Sequence, residues 1–337
     1  MTEKHYGGAT KFDHSGKNSP PTKEKVKVSK DKKQSEAKEG SEMESKDIEK
    51  LQKAGKIAKQ TVEYAKEMIR KGMLLLEIAD KIESKINELE AKPAFPINLS
   101  INEIAAHSTP SWNDADTAKG LLKVDIGVHI DGHIADTAFS VDLENDPENK
   151  KLIEAAELAL SEAIKKVKYG ITLREIGKII ENTMKSQNVE PIRNLSGHSI
   201  ELYDLHAGIT IPNYDNNQDI PLDSGLYAIE PFSTNGFGAV RDGKLSGIYH
   251  LIKEGNVRDN FAREVLNFIT ENYKTLPFCS RWIYKKFGTR GLLALKRIEE
   301  AGLLHHYSQL IEKGNGKVAQ AEHTVILTQK EVIITTK

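Results

Sequence analysis

Lys123-Val124-Asp125-Ile126-Gly127-Val128-His129-Ile130-Asp131-Gly132-His133-Ile134-Ala135-Asp136 reads as two alternating strands joined by a two-residue Asp131-Gly132 connection. An Asp-Gly pair between alternating strands is the strongest short-range hairpin signal. The hairpin puts Asp125 and Asp136 on neighbouring strands, where two carboxylates can converge. Ionised carboxylates held close repel unless a shared proton or a cation neutralises them. A cation needs further ligands, and the rest of the chain must supply them.

Helical patterns flank the hairpin. From Asp47, the residues Ile48, Leu51, Ala54, Ile57, Ala58, Val62, Ala65, Met68 and Ile69 recur mostly at three- and four-residue steps, and Gly72 ends that helix. Leu75, Ile78, Ala79, Ile82, Ile86 and Leu89 mark a second helix. A break at Lys92-Pro93-Ala94-Phe95-Pro96 leads into short strand-like pieces as far as Val141. Asp146-Pro147-Glu148 opens another helical pair, with a stripe from Leu152 to Val167, an end at Gly170, and a second stripe from Leu173 to Met184. This unit repeats the earlier one. Gly72, Leu75, Glu77, Ile78, Ile82 and Glu83 recur 98 positions later as Gly170, Leu173, Glu175, Ile176, Ile180 and Glu181. Asn98-Leu99-Ser100 recurs as Asn194-Leu195-Ser196. A period this long predicts two related halves, each two helices followed by strands, rather than a solenoid. A shared sheet between such halves is a favoured place for a pocket. Beyond Pro231 the strand pattern lapses, and Asp259 to about Leu310 reads as helical. A turn at Gly314-Asn315-Gly316-Lys317 precedes a strand from Val318 to Leu327, and Glu331 to Ile334 continues as strand.

With 337 residues, 38% hydrophobic and 29% charged, the chain can bury a sizeable core as one large domain or two modest ones. Its longest apolar runs, such as Met73 to Leu76, are far too short to span a bilayer, and no signal-peptide core follows the N-terminus. The single cysteine, Cys279, excludes an internal disulfide and multi-cysteine zinc sites, so a cytoplasmic location is the default and any metal must rely on carboxylates and histidines. The net charge of −1 hides an asymmetry: residues 1–40 hold ten Lys against six Asp and Glu, about +4, which leaves about −5 for the rest. Residues 1–45 form a Lys-rich basic arm too polar to bury surface and are expected to be disordered. A solubilising tail is the plain reading. Contact with RNA or the ribosome is the sharper one, though the arm lacks interleaved aromatics and arginines.

Five ionisable residues interrupt otherwise apolar strands: Asp125, Asp136, His198 in Gly197-His198-Ser199-Ile200, Glu230 in Ala228-Ile229-Glu230-Pro231, and Glu322 in Ala319-Gln320-Ala321-Glu322-His323-Thr324. Such groups are expensive inside strands unless paired or metal-bound. Oxygen-rich ligation with one imidazole suits a pair of divalent ions such as Mn, Fe, Co or Zn. Two close metals can activate water at neutral pH, which fits amide hydrolysis. A buried charge network without metal remains the rival at this point.

The order of these motifs resembles methionine aminopeptidase, in the archaeal-style form of its type 2 branch. The resemblance runs from about Asp47 to the C-terminus. It includes Ala94-Phe95-Pro96, Ala105-Ala106-His107-Ser108-Thr109-Pro110, Pro191 to Leu195, Tyr203 to Pro212, and Leu276 to Trp282. It implies an α+β pita-bread (creatinase/aminopeptidase) fold of two pseudo-twofold α/β halves over residues 46–337, with a helical insertion at about 256–312. It further implies removal of the N-terminal methionine from nascent proteins when the second residue is small, by a hydroxide bridging two divalent ions. Under it Asp125 chelates one metal, Asp136 and Glu322 bridge both, and His198 and Glu230 complete the other. Glu230 would also act as general base and acid. His107 would touch the scissile amide and His206 would steady the tetrahedral intermediate, while Phe95, Leu205 and Tyr307 match the methionine slot. His129, His133, His250, His305, His306 and His323 stay outside the site. Three departures stand out: Ala321 where the branch usually has Phe, Ser108 where Tyr is common, and Ser308 where Pro is common. Ala321 adjoins a bridging ligand and is expected to alter pocket packing. The alternatives are a prolidase- or aminopeptidase P-like hydrolase, which usually carries a folded N-terminal domain, and a non-enzymatic pita-bread protein that binds RNA or ribosomes, which usually loses ligands. No membrane partner is expected, and a monomer is the simple default.

Overall fold

Residues 45–337 are described by the computed structural model. The expected basic arm lies outside them, apart from Ser45, which opens the first helix. The helices are α1 (Ser45–Met68), α2 (Leu75–Glu88), α3 (Pro147–Lys166), α4 (Leu173–Ser186), α5 (Asn260–Asn272) and α6 (Ser280–Glu300). The strands of the first half are β1 (Lys92–Pro93), β2 (Asn98–Ile101), β3 (Ile104–Ala106), β4 (Leu121–Ile130) and β5 (His133–Asp142). Those of the second are β6 (Glu190–Pro191), β7 (Ser196–Ile200), β8 (Thr210–Pro212), β9 (Gly225–Ile229), β10 (Phe232–Thr234) and β11 (Val240–Leu251). The last are β12 (Phe278–Cys279), β13 (Leu304–Glu312), β14 (Val318–Gln320), β15 (Glu322–Leu327) and β16 (Val332–Ile334).

Local chemistry explains the helix boundaries. Asp146 caps α3 by accepting the Glu148 N–H, with Pro147 at the first helical position. Thr172 and Glu175 form a reciprocal capping box at the start of α4. Gly72 and Gly170, equivalent in the repeat, both take positive φ (85° and 76°) just before α2 and α4.

The main sheet has nine strands, and its central path runs β1-β4-β5-β15-β9-β7-β8. The two helical pairs cover its two halves. Ile57, Ile78 and Ile82 pack on Val124 and Ile126, while Leu152, Ile176 and Ile180 pack on Tyr227 and Val325. Each such side chain contributes roughly 1.5–3 kcal/mol when fully buried. The repeat thus appears as two cores behind one sheet. The repeated glutamates play matching parts. Glu181 accepts the Asp215 N–H and pairs with Lys185 and Arg193, while Glu83 accepts from Arg281 and Trp282.

The structure corrects the reading of residues beyond Pro231. They continue as β10 and the twelve-residue β11, and Leu304–Glu312 is strand β13 rather than the end of a helix. Strand β11 is irregular, with register shifts between Asp242 and Leu245 and between Leu245 and Tyr249, so its side chains do not alternate cleanly. Gly302, at φ 68°, ends α6 ahead of β13. Here α5 and α6, the latter broken by a kink at Gly288, share a core of Val265, Ile269, Ile283 and Ile298, beside a sheet of β12, β11, β13 and β3.

Arg281 clamps α6 to the first half. It is fully buried and donates to Glu83 at 2.7 and 2.8 Å, to Asp80 at 3.0 Å and to the Pro110 carbonyl at 3.1 Å. No helix among the described residues is long and apolar enough to cross a membrane.

Candidate metal centre and substrate cavity

Strand register decides which side chains share a face. The hairpin closes through Asp131 (φ 50°) and Gly132 (φ 87°), which pairs Gly127 with Asp136 and Asp125 with Ala138. Ala138 in turn pairs with Glu322 on β15. Because side chains alternate along a strand, Asp125, Asp136 and Glu322 stand on one face. Thr324, two residues beyond Glu322, pairs with Ala228, and Ala228 pairs with His198. His198 therefore joins that face, and Glu230, just past β9, reaches the same point.

All five converge. Ligand atoms of Asp136, His198 and Glu322 lie within 4.8 Å of one another. His198 Nε2 is 3.7 Å from Asp136 Oδ2 and 3.5 Å from Glu230 Oε1. Gln320 Nε2 lies between three carboxylates, at 3.5 Å from Asp125, 3.4 Å from Glu230 and 3.5 Å from Glu322. Residues that hold the frame were not foreseen. Thr324 Oγ1 accepts the Asp136 N–H and donates to the Asp136 carbonyl, and Thr137 donates to the Glu322 carbonyl.

Four buried carboxylates in one place carry a large electrostatic penalty. Burial pushes Asp125 up from 3.8 to about 7, against hydrogen bonds to Gln320, Asp136 and the Ile126 backbone that pull it down. Asp136 and Glu322 are raised well above the usual range, first by burial and then by charged carboxylate neighbours, and Glu230 likewise. His198 is pushed down to about 3, chiefly by burial and then by His206, and stays neutral with a free lone pair. Asp125 Oδ1 and Asp136 Oδ1 are buried without a hydrogen-bond partner. Clustered carboxylates, a neutral imidazole and orphaned acceptors fit a divalent cation site.

The cluster forms one wall of a cavity of about 360 Å³, and all ten predicted site residues line it. Phe95 and Leu205 bring apolar surface, with the Phe95 ring against Gly127, where a Cβ would come within 2.3 Å. Tyr307 stacks edge-on with His107 at 5.1 Å, and His206 with His198 at 4.4 Å. His107 takes positive φ (56°), a conformation that costs a non-glycine residue on the order of 1 kcal/mol or more. The Ser108 carbonyl, which accepts from Leu99, and Thr109 Oγ1, which donates to the Ile97 carbonyl, hold that turn. His107 is pushed down to about 4 by burial and by His206, and His206 is lowered by burial.

Of the remaining histidines, His250 and His305 stand behind the cavity wall, against Tyr307 at 5.2 and 4.7 Å, and the other four are placed elsewhere. His133 pairs with Ile130 and so faces the other side of the sheet, where Nε2 meets Asp47 at 2.9 Å. His129 accepts the Gly132 N–H, His306 meets Glu299, and His323 meets Thr336. One expectation fails. Ala321 lies in the core under α3 and α4, on the face opposite Glu322, and does not line the cavity. Ser108 is buried and accepts from Gln309, also away from the cavity wall.

A carboxylate-rich candidate metal site set between two pseudo-twofold α/β halves fits one class: a metal-dependent hydrolase of the pita-bread fold. The chain belongs to metallopeptidase family M24, whose model matches residues 49–329. Divalent metal use follows from that membership. The chain is 46% identical over 298 residues to a methionine aminopeptidase of Methanocaldococcus jannaschii, covering 88% of this chain and 100% of that one. It is 47% identical over 296 residues to a methionine aminopeptidase of Pyrococcus abyssi, covering 86% and 100%. The crystal structure of a methionine aminopeptidase from Thermotoga maritima shares the fold, with a TM-score of 0.64 at 22% identity over 87% of this chain and 98% of that one.

Proposed function

We propose that the protein removes the N-terminal methionine from polypeptides whose second residue is small, with nascent chains as its natural substrates. One observation carries this most directly. Five ligand-type side chains line one cavity together with the apolar surface of Phe95, Leu205 and Tyr307. The similarity to proteins named methionine aminopeptidase supports the same reading.

In this reading Asp125, Asp136, His198, Glu230 and Glu322 would hold two divalent ions. Bound there, such ions supply Lewis acidity and lower the pKa of water toward neutrality. Mn, Fe, Co and Zn all suit this donor set.

The chain's own side chains do the rest. Phe95, Leu205 and Tyr307 receive the methionine side chain, which has no hydrogen-bonding hydrogen to satisfy. Glu230, whose Oε1 stands 3.5 Å from His198 Nε2 in the cluster, would take the proton of the attacking water and return it to the leaving amine. His107, neutral under these conditions, bonds the scissile amide, and His206 stabilises charge on the former carbonyl oxygen.

The test is release of methionine from Met-Ala-Ser against hydrolysis of an Xaa-Pro dipeptide, each with added Mn or Co. Methionine release without Xaa-Pro cleavage is the expected result. Xaa-Pro cleavage without methionine release would instead assign a prolidase-like activity. No turnover of either peptide with any divalent metal would reject the hydrolase reading.

A further inference from the structure

Strand β2 brings one more polar group to the cavity. Asn98 is buried, lines the cavity and pairs directly with Asp125 on β4, so the two side chains stand together on the ligand-bearing face. Its Nδ2 donates to the Pro96 carbonyl at 2.8 Å. That bond fixes the amide orientation, because the flipped form would press two oxygens together. Asn98 Oδ1 is thereby an acceptor, and it is buried with no partner. Asp125 Oδ1 has none either. A buried acceptor left unpaired is costly, and one that lines a cavity calls for a donor from outside the chain.

We infer that Asn98 Oδ1 accepts a hydrogen bond from the α-amino group of the substrate's first residue, which makes Asn98 a specificity residue for a free N-terminus. The inference rests on the aminopeptidase reading given above. The first residue offers three arms from its Cα. The methionine side chain carries no donor and goes to the apolar slot, which begins at Phe95 beside Gly127, two residues along β4 from Asp125. The carbonyl is an acceptor and belongs at the cluster of Asp136, His198 and Glu322. The scissile N–H leaves towards His107. Only the amine remains to bring N–H groups to the corner of Asn98 and Asp125. A neutral amide oxygen suits that corner, since it receives an N–H without adding to the four crowded carboxylates.

The test uses metal-loaded protein and two ligands: Met-Ala-Ser, and its desamino analogue with hydrogen in place of the α-amino group, read as a competitive inhibitor. Asn98→Ala is expected to raise KM for Met-Ala-Ser about tenfold with kcat changed far less, and to leave the inhibition constant of the desamino analogue nearly unchanged. The preference for the amine-bearing ligand then shrinks by that same factor. A purely structural role for Asn98 would weaken both ligands equally and leave the preference intact, and that result overturns the inference. Asn98→Val, which suits a strand and also lacks the acceptor, replaces Asn98→Ala if the latter folds poorly. Failure of the wild-type protein to release methionine would strike the underlying reading instead.

Discussion

Gln320 shows how much a neutral residue can matter among charged ones. Its amide sits at 3.4 to 3.5 Å from carboxylates carried by β4, by the end of β9 and by β15, and Ser140 Oγ accepts its backbone N–H at 2.8 Å. Those donated hydrogen bonds lower the cost of keeping Asp125 and Glu230 ionised. Gln320→Leu removes them, so protons compete better with metal. We expect a ten- to hundredfold loss of Mn affinity near pH 7, the usual range for residues that orient metal ligands, read by calorimetric titration of metal-free protein. Affinity within about twofold of wild type would show that Gln320 plays no such part. The five ionisable residues were legible in the sequence because a charge in an apolar strand is conspicuous. Gln320 and Asn98 were quoted within motifs, yet no role could be read from them. An amide is unremarkable in a strand until its partners are known, and Gln320 meets Asp125 across 195 positions of sequence.

Among the elements, the α1–α2 and α3–α4 pairs and the β4–β5 hairpin were read correctly, since strong periodicity and a local turn signal define them. Strands β11 and β13 were not. Register shifts and exposed polar residues blur the alternation in β11, and the His305-His306-Tyr307 stretch of β13 follows a long helical stripe without an apolar break. The docking of α6 on α2 was equally hidden, although Glu83 and Arg281 both lay in noted motifs, because 198 positions separate them. That contact yields a sharp expectation. Arg281→Leu leaves the buried Glu83 without its guanidinium and should cost about 3–5 kcal/mol of stability. Adding Glu83→Leu should recover most of the loss, because removing both charges removes the desolvation penalty as well. Urea unfolding of the two single variants and the double variant measures the coupling. Additive losses in the double variant would mean that the clamp is not an interacting pair.

For the molecule as a whole, two repeated halves behind one sheet force charges from both onto a single buried face. The electrostatic consequence can be measured without any substrate. Asp125 rises to about 7, and Asp136, Glu230 and Glu322 are raised well above their ordinary values. The folded metal-free chain therefore binds more protons than the unfolded one above about pH 4, and its stability falls as pH rises towards about 7. Divalent metal bound at these carboxylates would take the place of those protons, so its binding should strengthen at higher pH and release them. At a metal concentration a hundred times Kd, binding adds about 2.7 kcal/mol. The gap in Tm between metal-loaded and chelator-treated protein should thus be small near about pH 5 and widen steadily towards about pH 7.5. Taking the difference between the two forms cancels titrations common to both, such as that of His129, which burial lowers to about 4 at the hairpin tip. Thermal scans across this range decide the matter. A gap that stays constant with pH would mean that protons and metal do not share these carboxylates, and the site drawn from both halves would lose its main physical support.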